Sequence, residues 1–388
     1  MIPLAKDTID NKDVDELAEW LKTYPRLTKG DLTLKYEEEW SKTIGCKYSV
    51  FVNSGSSANL LMLYALIEEG LLKSGDKVVI PAVSWSTDLA PVVQLGLQPI
   101  LCDCNMTSLS VDLEHLVDIV TKEKPKVLVL VSVLGMVPDM EAIVEICDKN
   151  NVILLEDACE SLGSRYEGNC LGAFGLMSSF STYFGHHIST IEGGMVCTNN
   201  KKMFNLLKSL RSHGWDRDME AEEKVKIRQK YLIKNDFDSL YKFYHFGFNF
   251  RATDLQAFIG LGQLKKIEQV VTNRNKNYNY YNELIDNKFW KPQKSTKKNF
   301  VSNFAYPVIH PNRAEIVSNL IVNNIETRPL ICGSLGRQPF WIKKYGETKF
   351  KNADLVNDRG FYLPNNHQLT KKEIEFICEV VNTHGVLK

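Results

Sequence analysis

The sequence predicts an α/β fold, in which a mostly parallel sheet lies between helices in a large domain and a smaller α+β domain follows. Three observations predict it. Short apolar runs alternate with helix-like stretches from about residue 45 to residue 200, the pattern of a parallel sheet covered on both faces. The runs are short and β-branched, as VLVLVSVL at 127–134 shows. The 388 residues, 44% of them hydrophobic, suit two or three domains with a sizeable core.

The predicted strands are the apolar runs, taken in chain order. Five lie at 48–53, 77–81, 98–102, 126–134 and 152–156, and two further candidates follow at 176–183 and 194–198. Helices are predicted between several of these strands, with recognisable ends, at 57–69 (ending at Gly70), 112–122 (following Ser110) and 139–150 (starting at Pro138-Asp139).

Beyond residue 200 the pattern changes. The segment 200–300 is rich in Lys, Asn, Asp and Tyr, and its charged stretch at 216–236 predicts a mobile loop. The elements predicted after this loop are a helix at 252–272, a strand at 303–308, a helix at 312–323, a Pro/Gly-rich loop at 327–340 and a helix at 370–381. We therefore expect a large domain over 1–250, linking helices over 251–285 and a small C-terminal domain over 286–388.

Charge and cysteine content exclude several classes of function. Lys+Arg and Asp+Glu are both 47, so there is no overall basic field to hold nucleic acid or an anionic membrane. No stretch approaches the ~18 consecutive apolar residues of a membrane span, and the polar N-terminus does not resemble a signal peptide. The nine cysteines are an odd number and most lie in apolar segments, which indicates reduced thiols. We expect a cytoplasmic protein.

The first motif with chemical content is Asn53-Ser54-Gly55-Ser56-Ser57-Ala58-Asn59, between a predicted strand and a predicted helix. Free N–H groups and Ser hydroxyls at a helix N-terminus form a phosphate site. A plain N-cap is the alternative interpretation of the motif by itself. A serine hydrolase is a weaker one, because Gly-x-Ser-x-Gly is absent.

The second motif, Glu156-Asp157-Ala158-Cys159-Glu160, follows a wholly apolar strand. Sheets of this class place ligand groups at the carboxyl ends of their strands. A carboxylate held there can keep a pyridine nitrogen protonated, so that a cofactor ring accepts electrons. A surface acidic loop is the alternative, and the apolar strand before Asp157 favours the functional interpretation.

The third motif is Ser179-Phe180-Ser181-Thr182-Tyr183-Phe184-Gly185-His186-His187-Ile188-Ser189-Thr190-Ile191-Glu192-Gly193-Gly194. Together with the first two motifs and Gly247-Phe248-Asn249-Phe250-Arg251, it resembles the DegT/DnrJ/EryC1/StrS sugar-aminotransferase family of fold-type I pyridoxal-phosphate (PLP) enzymes. The resemblance extends from about Gly30 to Leu363. It implies a PLP cofactor and a nucleotide-linked 4-keto sugar as substrate.

One position departs from the family pattern. The family's Schiff-base lysine lies six residues before the Glu of Glu-Gly-Gly, which here is His186, and no lysine occurs between Lys149 and Lys201. An imidazole moves protons but forms no covalent bond to the cofactor. This substitution resembles the family's dehydratase branch, which uses glutamate to form the pyridoxamine (PMP) state of the cofactor.

The implied reaction is loss of the C3 hydroxyl from a 4-keto-6-deoxy sugar, with His186 as base. GDP-4-keto-6-deoxy-D-mannose is the favoured substrate, and the implied product is a 4-keto-3,6-dideoxy sugar for a surface polysaccharide.

The resemblance also implies roles for further residues. Trp85 corresponds to the residue that stacks on the cofactor ring, and Asp157 to the partner of its nitrogen. Glu160 replaces a Gln near the ring hydroxyl. The expected phosphate ligands are Gly55, Ser56, Ser57 and Ser181. Asn249 corresponds to a residue that reaches the partner subunit's cofactor phosphate, which implies a homodimer with shared active sites.

Three more residues are candidates near the substrate. His213 resembles a catalytic-site histidine of the dehydratase branch, and Arg251 and Arg328 suit a carboxylate or diphosphate. Each has a plainer interpretation, a loop role for His213 and a structural ion pair for each arginine. Trp85 can equally be an interface or core tryptophan.

Several alternatives remain open. The same chemistry on a CDP- or dTDP-linked sugar is one, and a nucleotide-sugar 4-aminotransferase with a lysine elsewhere is another. An iron–sulfur dehydratase is disfavoured, because Cys102-x-Cys104 has no third Cys within the next forty residues. A metal at His186-His187 is disfavoured because no further ligand lies at suitable spacing. The non-enzyme alternative is a catalytically inactive member that binds a nucleotide sugar or regulates transcription.

Overall fold

A computed structural model describes residues 1–386, and the last two residues of the predicted C-terminal domain, 387 and 388, lie outside the described residues. The strands are β1 (Tyr48–Val52), β2 (Lys77–Pro81), β3 (Gln98–Cys102), β4 (Val127–Val131), β5 (Ile153–Asp157), β6 (Arg165–Tyr166), β7 (Asn169–Cys170), β8 (Met177–Ser181), β9 (Gly194–Thr198), β10 (Asn299–Phe300), β11 (Tyr306–Ile309), β12 (Arg328–Pro329) and β13 (Gly360–Leu363).

The central sheet has seven strands in the order β1-β9-β8-β5-β4-β2-β3. Strands β3, β2, β4, β5 and β8 run parallel, which confirms the predicted α/β class. Strand β9 is antiparallel to both of its neighbours. The physical reason lies in the connection 182–193, which contains no helix and folds β9 directly back beside β8.

Helices cover both faces of this sheet, and further helices lie in the C-terminal part of the chain. They are α1 (Asn11–Leu21), α2 (Asp31–Ile44), α3 (Gly55–Glu68), α4 (Ser86–Gln94), α5 (Leu113–Glu123), α6 (Met140–Asn150), α7 (Lys201–Arg211), α8 (Ala221–Lys230), α9 (Asp236–Ser239), α10 (Asp254–Leu264), α11 (Ile267–Leu284), α12 (Arg313–Val322), α13 (Pro339–Tyr345), α14 (Lys351–Arg359) and α15 (Lys371–His384).

Burial along the strands shows why the sheet needs helices on both sides. Val127, Val129 and Val131 of β4 pack into one hydrophobic cluster, whereas Leu128 and Leu130 pack into a second cluster on the other face. Successive side chains of a strand point to opposite faces, so a strand that is apolar throughout must be covered twice.

Some elements differ from the sequence prediction. The segment 216–236, predicted as a mobile loop, contains α8, none of whose residues is buried. Such a helix has no apolar stripe for periodicity to detect. The segment 252–272 is divided between α10 and α11 instead of forming one helix. The predicted loop at 327–340 contains the short strand β12, which pairs with β13.

Two small sheets complete the structure, with orders β10-β6-β7 and β11-β13-β12. The second lies in the C-terminal part of the chain, where the sequence predicts an α+β unit, and α12 packs against α15 beside it. The exact domain boundaries stay a prediction. Among residues 1–386, no helix is long and apolar enough to cross a membrane.

Candidate active site

A cavity of about 460 Å³ lies where β4, β5 and β8 end and α3 begins. Seven of the residues selected from the sequence line it: Gly55, Ser56, Trp85, Asp157, Glu160, Ser181 and His186. Parallel strands present their carboxyl ends at one edge of a sheet, and this edge is where α/β proteins bind ligands. The three motifs therefore meet at one place.

One end of the cavity is the N-terminus of α3. Ser54 is the N-cap residue, and its Oγ accepts the N–H of Ser57 at 3.0 Å. Ser57 itself is absent from the lining of the cavity, and its Oγ accepts a hydrogen bond from Ser54 Oγ at 3.0 Å. The N–H groups of Gly55 and Ser56 belong to the first turn, where the helix leaves donors without a partner. Such donors bind a phosphate or another anion.

Gly194 explains why this helix end lies where it does. A Cβ at Gly194 would be 2.3 Å from the carbonyl carbon and oxygen of Ser54 and 2.5 Å from the nitrogen of Gly55. Strand β9 therefore packs directly against the first turn of α3. Only glycine permits this approach.

Asp157 lies at the end of β5, in the floor of the cavity. Its Oδ2 accepts a hydrogen bond from Nδ2 of Asn59 at 2.6 Å, and its Oδ1 accepts the N–H of Cys159 at 2.8 Å. Asp88 shares the same Asn59 amide, at 3.1 Å. Burial and the neighbouring Asp157 raise the pKa of Asp88 well above its ordinary value of 3.8. The protonated form of Asp88 is therefore favoured beside Asp157, because like charges this close are unfavourable.

Trp85 stands at the mouth of the cavity with 55% of its surface exposed. It is the N-cap residue of α4, and its N–H donates to Oδ2 of Asp88 at 2.9 Å. The carboxyl pair and the ring that faces the cavity are therefore linked through the start of α4. An exposed indole in a cavity offers a flat apolar face to a planar ligand.

Glu160 lies on the opposite wall. Its Oε2 accepts the N–H of Leu134 at 2.7 Å. Burial raises the pKa of Glu160 to about 7, and the charge of Asp157 acts in the same direction. Its carboxyl group can therefore donate or accept a proton near neutral pH.

His186 is flanked by two aromatic rings, with centroid distances of 6.4 Å to Tyr183 and 5.4 Å to Phe304. Burial lowers the pKa of His186 to about 4; Asp157 opposes this effect. The imidazole is therefore neutral at physiological pH, and its Nδ1 has no hydrogen-bond partner within residues 1–386. The adjacent His187 does not line the cavity, and its Nε2 lies 3.0 Å from the carbonyl oxygen of Ser302.

The remaining candidates lie outside this cavity. His213, Asn249 and Arg251 form a second cluster beside the end of β1, where Asn249 pairs with Ser212 and Arg251 with Val52. Asn249 is exposed. Arg328 is also exposed, and it pairs with Glu326 at 2.6 Å. In the β12–β13 pair it lies opposite Tyr362, which lines the cavity.

The sequence analysis assigned no role to several residues that line the cavity. Asn59 and Asp88 complete the Asp157 network, and Phe304 and Tyr362 come from segments far along the chain. Asn59 had a local signal, since it closes the first motif. Phe304 and Tyr362 had none, because only the tertiary fold brings them next to His186 and the strand ends.

The chain is similar to known proteins over almost its whole length. The model of the DegT/DnrJ/EryC1/StrS aminotransferase family matches residues 7–382. GDP-4-keto-6-deoxy-D-mannose 3-dehydratase from Escherichia coli is 34% identical over 390 residues, which cover 98% of this chain and 99% of that protein. The lipopolysaccharide biosynthesis protein RfbH from Salmonella typhimurium is 31% identical over 371 residues, covering 90% of this chain and 84% of the relative.

Solved structures of GDP-4-keto-6-deoxymannose-3-dehydratase have the same fold. A mutant of that enzyme with bound GDP-perosamine gives a TM-score of 0.89 at 32% identity, covering 98% of this chain and 100% of the other. A second structure holds a trapped PLP-glutamate geminal diamine, with the same TM-score of 0.89, identity of 32% and coverage of 98% and 100%.

Proposed function

This chain belongs to the DegT/DnrJ/EryC1/StrS aminotransferase family, and we propose that it is a PLP- or PMP-dependent 3-dehydratase of a nucleotide-linked 4-keto-6-deoxy sugar. One observation carries the choice of dehydratase over aminotransferase. His186 lines the cavity at the position of the family's lysine, and none of the residues that line the cavity in the described chain is a lysine. Without a lysine the cofactor stays unattached, and proton transfer is the chemistry left to that position.

The residues of the cavity fit such a cofactor. Its volume of about 460 Å³ is in the range of small-molecule sites. The first turn of α3 offers N–H donors to a phosphate. Strand β9 packs so closely against this turn that residue 194 has no room for a side chain. Trp85 offers a flat face to a ring, and Asp157 a buried carboxylate to a ring nitrogen. We therefore assign the phosphate to Gly55, Ser56 and Ser181.

The chemistry that the cofactor supplies when bound is an amine for the C4 ketone of the sugar and a ring that accepts an electron pair. Asp157 supports that role by holding a proton on the ring nitrogen, and Asn59 and the N–H of Cys159 fix its two oxygens. By the family resemblance Glu160 would contact the ring hydroxyl, and its pKa of about 7 would let it share a proton with that group.

His186 acts as the base for the elimination. Its imidazole is neutral because burial lowers its pKa to about 4, and a neutral imidazole is the form that accepts a proton. The rings of Tyr183 and Phe304 lie next to the imidazole and limit where it can move. The accepted proton is then available to the C3 hydroxyl as it departs as water, so one side chain serves as base and acid.

The second cluster supports a homodimer with shared active sites. His213, Asn249 and Arg251 lie together but outside the cavity of their own chain. The neighbouring side chains Phe243 and Phe246 are exposed by 57% and 86%, which is unusual for aromatic residues with no role in an interface. We infer that this surface meets the cavity of a second copy of the chain. We assign the anionic part of the substrate to Arg251 and Arg328 at that junction.

GDP-4-keto-6-deoxy-D-mannose is the substrate we favour, with L-glutamate as amino donor. Support comes from the E. coli relative named for that sugar and from its structures with GDP-perosamine and with a PLP-glutamate adduct. The likeness to a lipopolysaccharide biosynthesis protein supports a dideoxy sugar for a surface polysaccharide. The nine cysteines are all free, which supports work in the cytoplasm.

Mass spectrometry of the product tests this function. The protein is incubated with PLP, glutamate and, in separate reactions, GDP-, CDP- and dTDP-linked 4-keto-6-deoxy sugars. Net loss of one oxygen with release of ammonia and 2-oxoglutarate, in the GDP reaction above the others, is the expected result. Replacement of the ketone by an amine would identify an aminotransferase. Tight cofactor binding with no change in any sugar would favour an inactive binding protein.

A further inference from the structure

Arg274 of α11 is a buried cation next to the histidine loop, and neither the sequence motifs nor the family resemblance point to it. Only 2% of its surface is exposed. Its Nη1 donates to the carbonyl oxygens of Phe304 at 2.7 Å and Asn365 at 2.9 Å, and its Nη2 donates to the carbonyl oxygen of His186 at 3.4 Å. One guanidinium therefore joins three segments that are remote in the sequence.

The charge of Arg274 has no carboxylate partner. Arg211, the other fully buried arginine, forms an ion pair with Glu37. No such pair forms at Arg274 within residues 1–386, and burial alone lowers its pKa to about 10. It is still a cation at neutral pH. Burying an unpaired charge is unfavourable, so a fold that keeps one at this place indicates a role for the charge.

The groups that face His186 come from several elements. Burial has the largest effect and lowers the pKa of His186; Asp157 at the end of β5 raises that pKa, and Arg274 on α11 lowers it further. His187, its chain neighbour, is held neutral by burial and by Arg274. The other ionisable groups around the cavity are Asp88, Cys159, Glu160, Tyr183, Glu192 and Tyr362. Arg274 is the cation that acts against Asp157 at the imidazole.

We propose that Arg274 is a positioning residue for His186: its hydrogen bonds fix the backbone of the histidine loop, and its charge adds to the effect of burial in disfavouring a protonated imidazole. The carbonyl contact sets where the ring lies between Tyr183 and Phe304. The positive charge offsets the attraction of Asp157 for a protonated imidazole. This inference rests on the proposed dehydratase function, in which His186 is the base.

Three variants of the full chain test the proposal. Arg274→Gln removes the charge and keeps a hydrogen-bond donor. Arg274→Lys keeps the charge and loses the planar fork that reaches several carbonyls. Lys276→Gln is the matched control, because it removes a charge from an exposed position of the same helix. Two quantities are measured. The first is the pH profile of the dehydration rate. The second is the titration of His186, followed by NMR of histidine-labelled protein without cofactor and assigned with the His186→Ala variant.

For Arg274→Gln we expect kcat to fall by roughly 10- to 100-fold, since a displaced base reacts poorly. The acidic limb of the profile and the His186 titration should both move to higher pH, by roughly half a unit or more, because a repelling charge is gone. Lys276→Gln should leave both at the wild-type position. The proposal would be overturned if Arg274→Gln lowered kcat at every pH while the acidic limb of the pH profile and the titration of His186 both stayed in place.

Arg274→Lys decides the matter if Arg274→Gln does not fold. We expect this variant to lower kcat, while the acidic limb and the His186 titration stay within about 0.2 pH units of the wild type. A shift of either to higher pH, as expected for Arg274→Gln, would contradict the proposal. The NMR titration separates this inference from the proposed function. If no 4-keto sugar is dehydrated but His186 titrates higher in Arg274→Gln, the function is wrong and the link between Arg274 and His186 stands.

Discussion

Nδ2 of Asn59 donates a hydrogen bond to Oδ2 of Asp157 at 2.6 Å, across 98 positions of the sequence. This contact joins the start of α3, which we assign to the cofactor phosphate, to the end of β5, which we assign to the ring nitrogen. The phosphate and the ring belong to one small molecule, so the two ends of its site must lie within the reach of that molecule. Asn59 is the direct link between them.

Asp157→Asn should abolish most of the dehydration, with kcat lower by at least ~100-fold, because an amide does not hold a proton on the ring nitrogen. Steady-state rates measured by product mass spectrometry check this. Turnover at the wild-type rate would contradict our placement of the ring nitrogen.

Asp88→Asn is the matched control for that change. Burial and Asp157 already raise the pKa of Asp88 well above its ordinary value, so its carboxyl group is held protonated. Asparagine has nearly the same shape and no charge. Its one acceptor oxygen can take the N–H of Trp85, while Asn59 loses its contact with residue 88 and keeps its hydrogen bond to Asp157. We expect kcat within roughly threefold of the wild type. A loss as large as that of Asp157→Asn would mean that Asp88 carries a needed charge.

Replacement of His186 separates proton transfer from cofactor binding. His186→Ala should lower dehydration by roughly 10²- to 10⁴-fold, the usual contribution of a general base. Cofactor affinity, followed by its absorbance, should change little, because the helix N-terminus, Trp85 and Asp157 remain. Dehydration by the alanine variant at near wild-type rate would remove His186 from the mechanism.

His186→Lys tests the converse. A lysine at this place should attach to the cofactor, so borohydride treatment followed by mass spectrometry of the protein should show a covalent adduct and dehydration should be lost. The wild type, treated in the same way, should show none. An adduct in the wild type would mean that another lysine reaches the cavity.

Gly194→Ala should weaken cofactor binding. The new Cβ would be 2.3 Å from the carbonyl of Ser54, so the first turn of α3 must move away from β9. We expect Kd for PLP to rise by at least roughly tenfold, measured by absorbance titration. Gly262→Ala in α10 is the control, because its Cβ would meet only Asp13 Oδ1, at 3.4 Å, and alanine favours a helix. An unchanged Kd in Gly194→Ala would disprove the phosphate assignment.

The pH dependence of stability should report Glu160. Its pKa rises from 4.5 to about 7 on folding, so between these values the folded chain binds more protons than the unfolded one. The stability from this group is therefore present below about pH 4.5 and is lost as the pH rises through about 7.

Glu160→Gln removes the pH dependence that comes from Glu160. Asp88 is present in both the variant and the wild type, so its contribution to the pH dependence of Tm cancels when the two are compared. The Tm of the variant minus that of the wild type, both without cofactor, should be larger at about pH 8 than at about pH 5. A difference that does not change with pH would show that Glu160 does not titrate in this range.

Local signals in the sequence were enough for the strands and for most of the cavity. Most strands of the central sheet are apolar runs, and an apolar strand that alternates with helices is typical of a sheet covered on both faces. The residues that follow these strands, such as Asp157 and Ser181, then lie at one edge whatever the rest of the chain does. The histidine at position 186 is likewise a fact of the sequence, and in the proposed function it selects proton transfer for this position.

Other features depended on contacts that no local spacing records. Glu156 directly precedes Asp157 in β5, but its side chain points to the other face of the sheet. There its carboxyl group accepts the N–H groups of Gly172, Phe174 and Gly175. Helix α8 lacks an apolar stripe, and β9 reverses direction because its connection is short. His213, Asn249 and Arg251 lie together but away from the cavity of their own chain.

The sequence by itself therefore determined the α/β class, the position of the cavity at the strand ends and the candidate for the base, His186. Only the tertiary structure decided what surrounds that base. Arg274 and His186 are 88 positions apart, and Phe304 lies farther along still. The protonation and orientation of an imidazole depend on the charges and rings within a few ångströms of it, and those neighbours are brought together by packing.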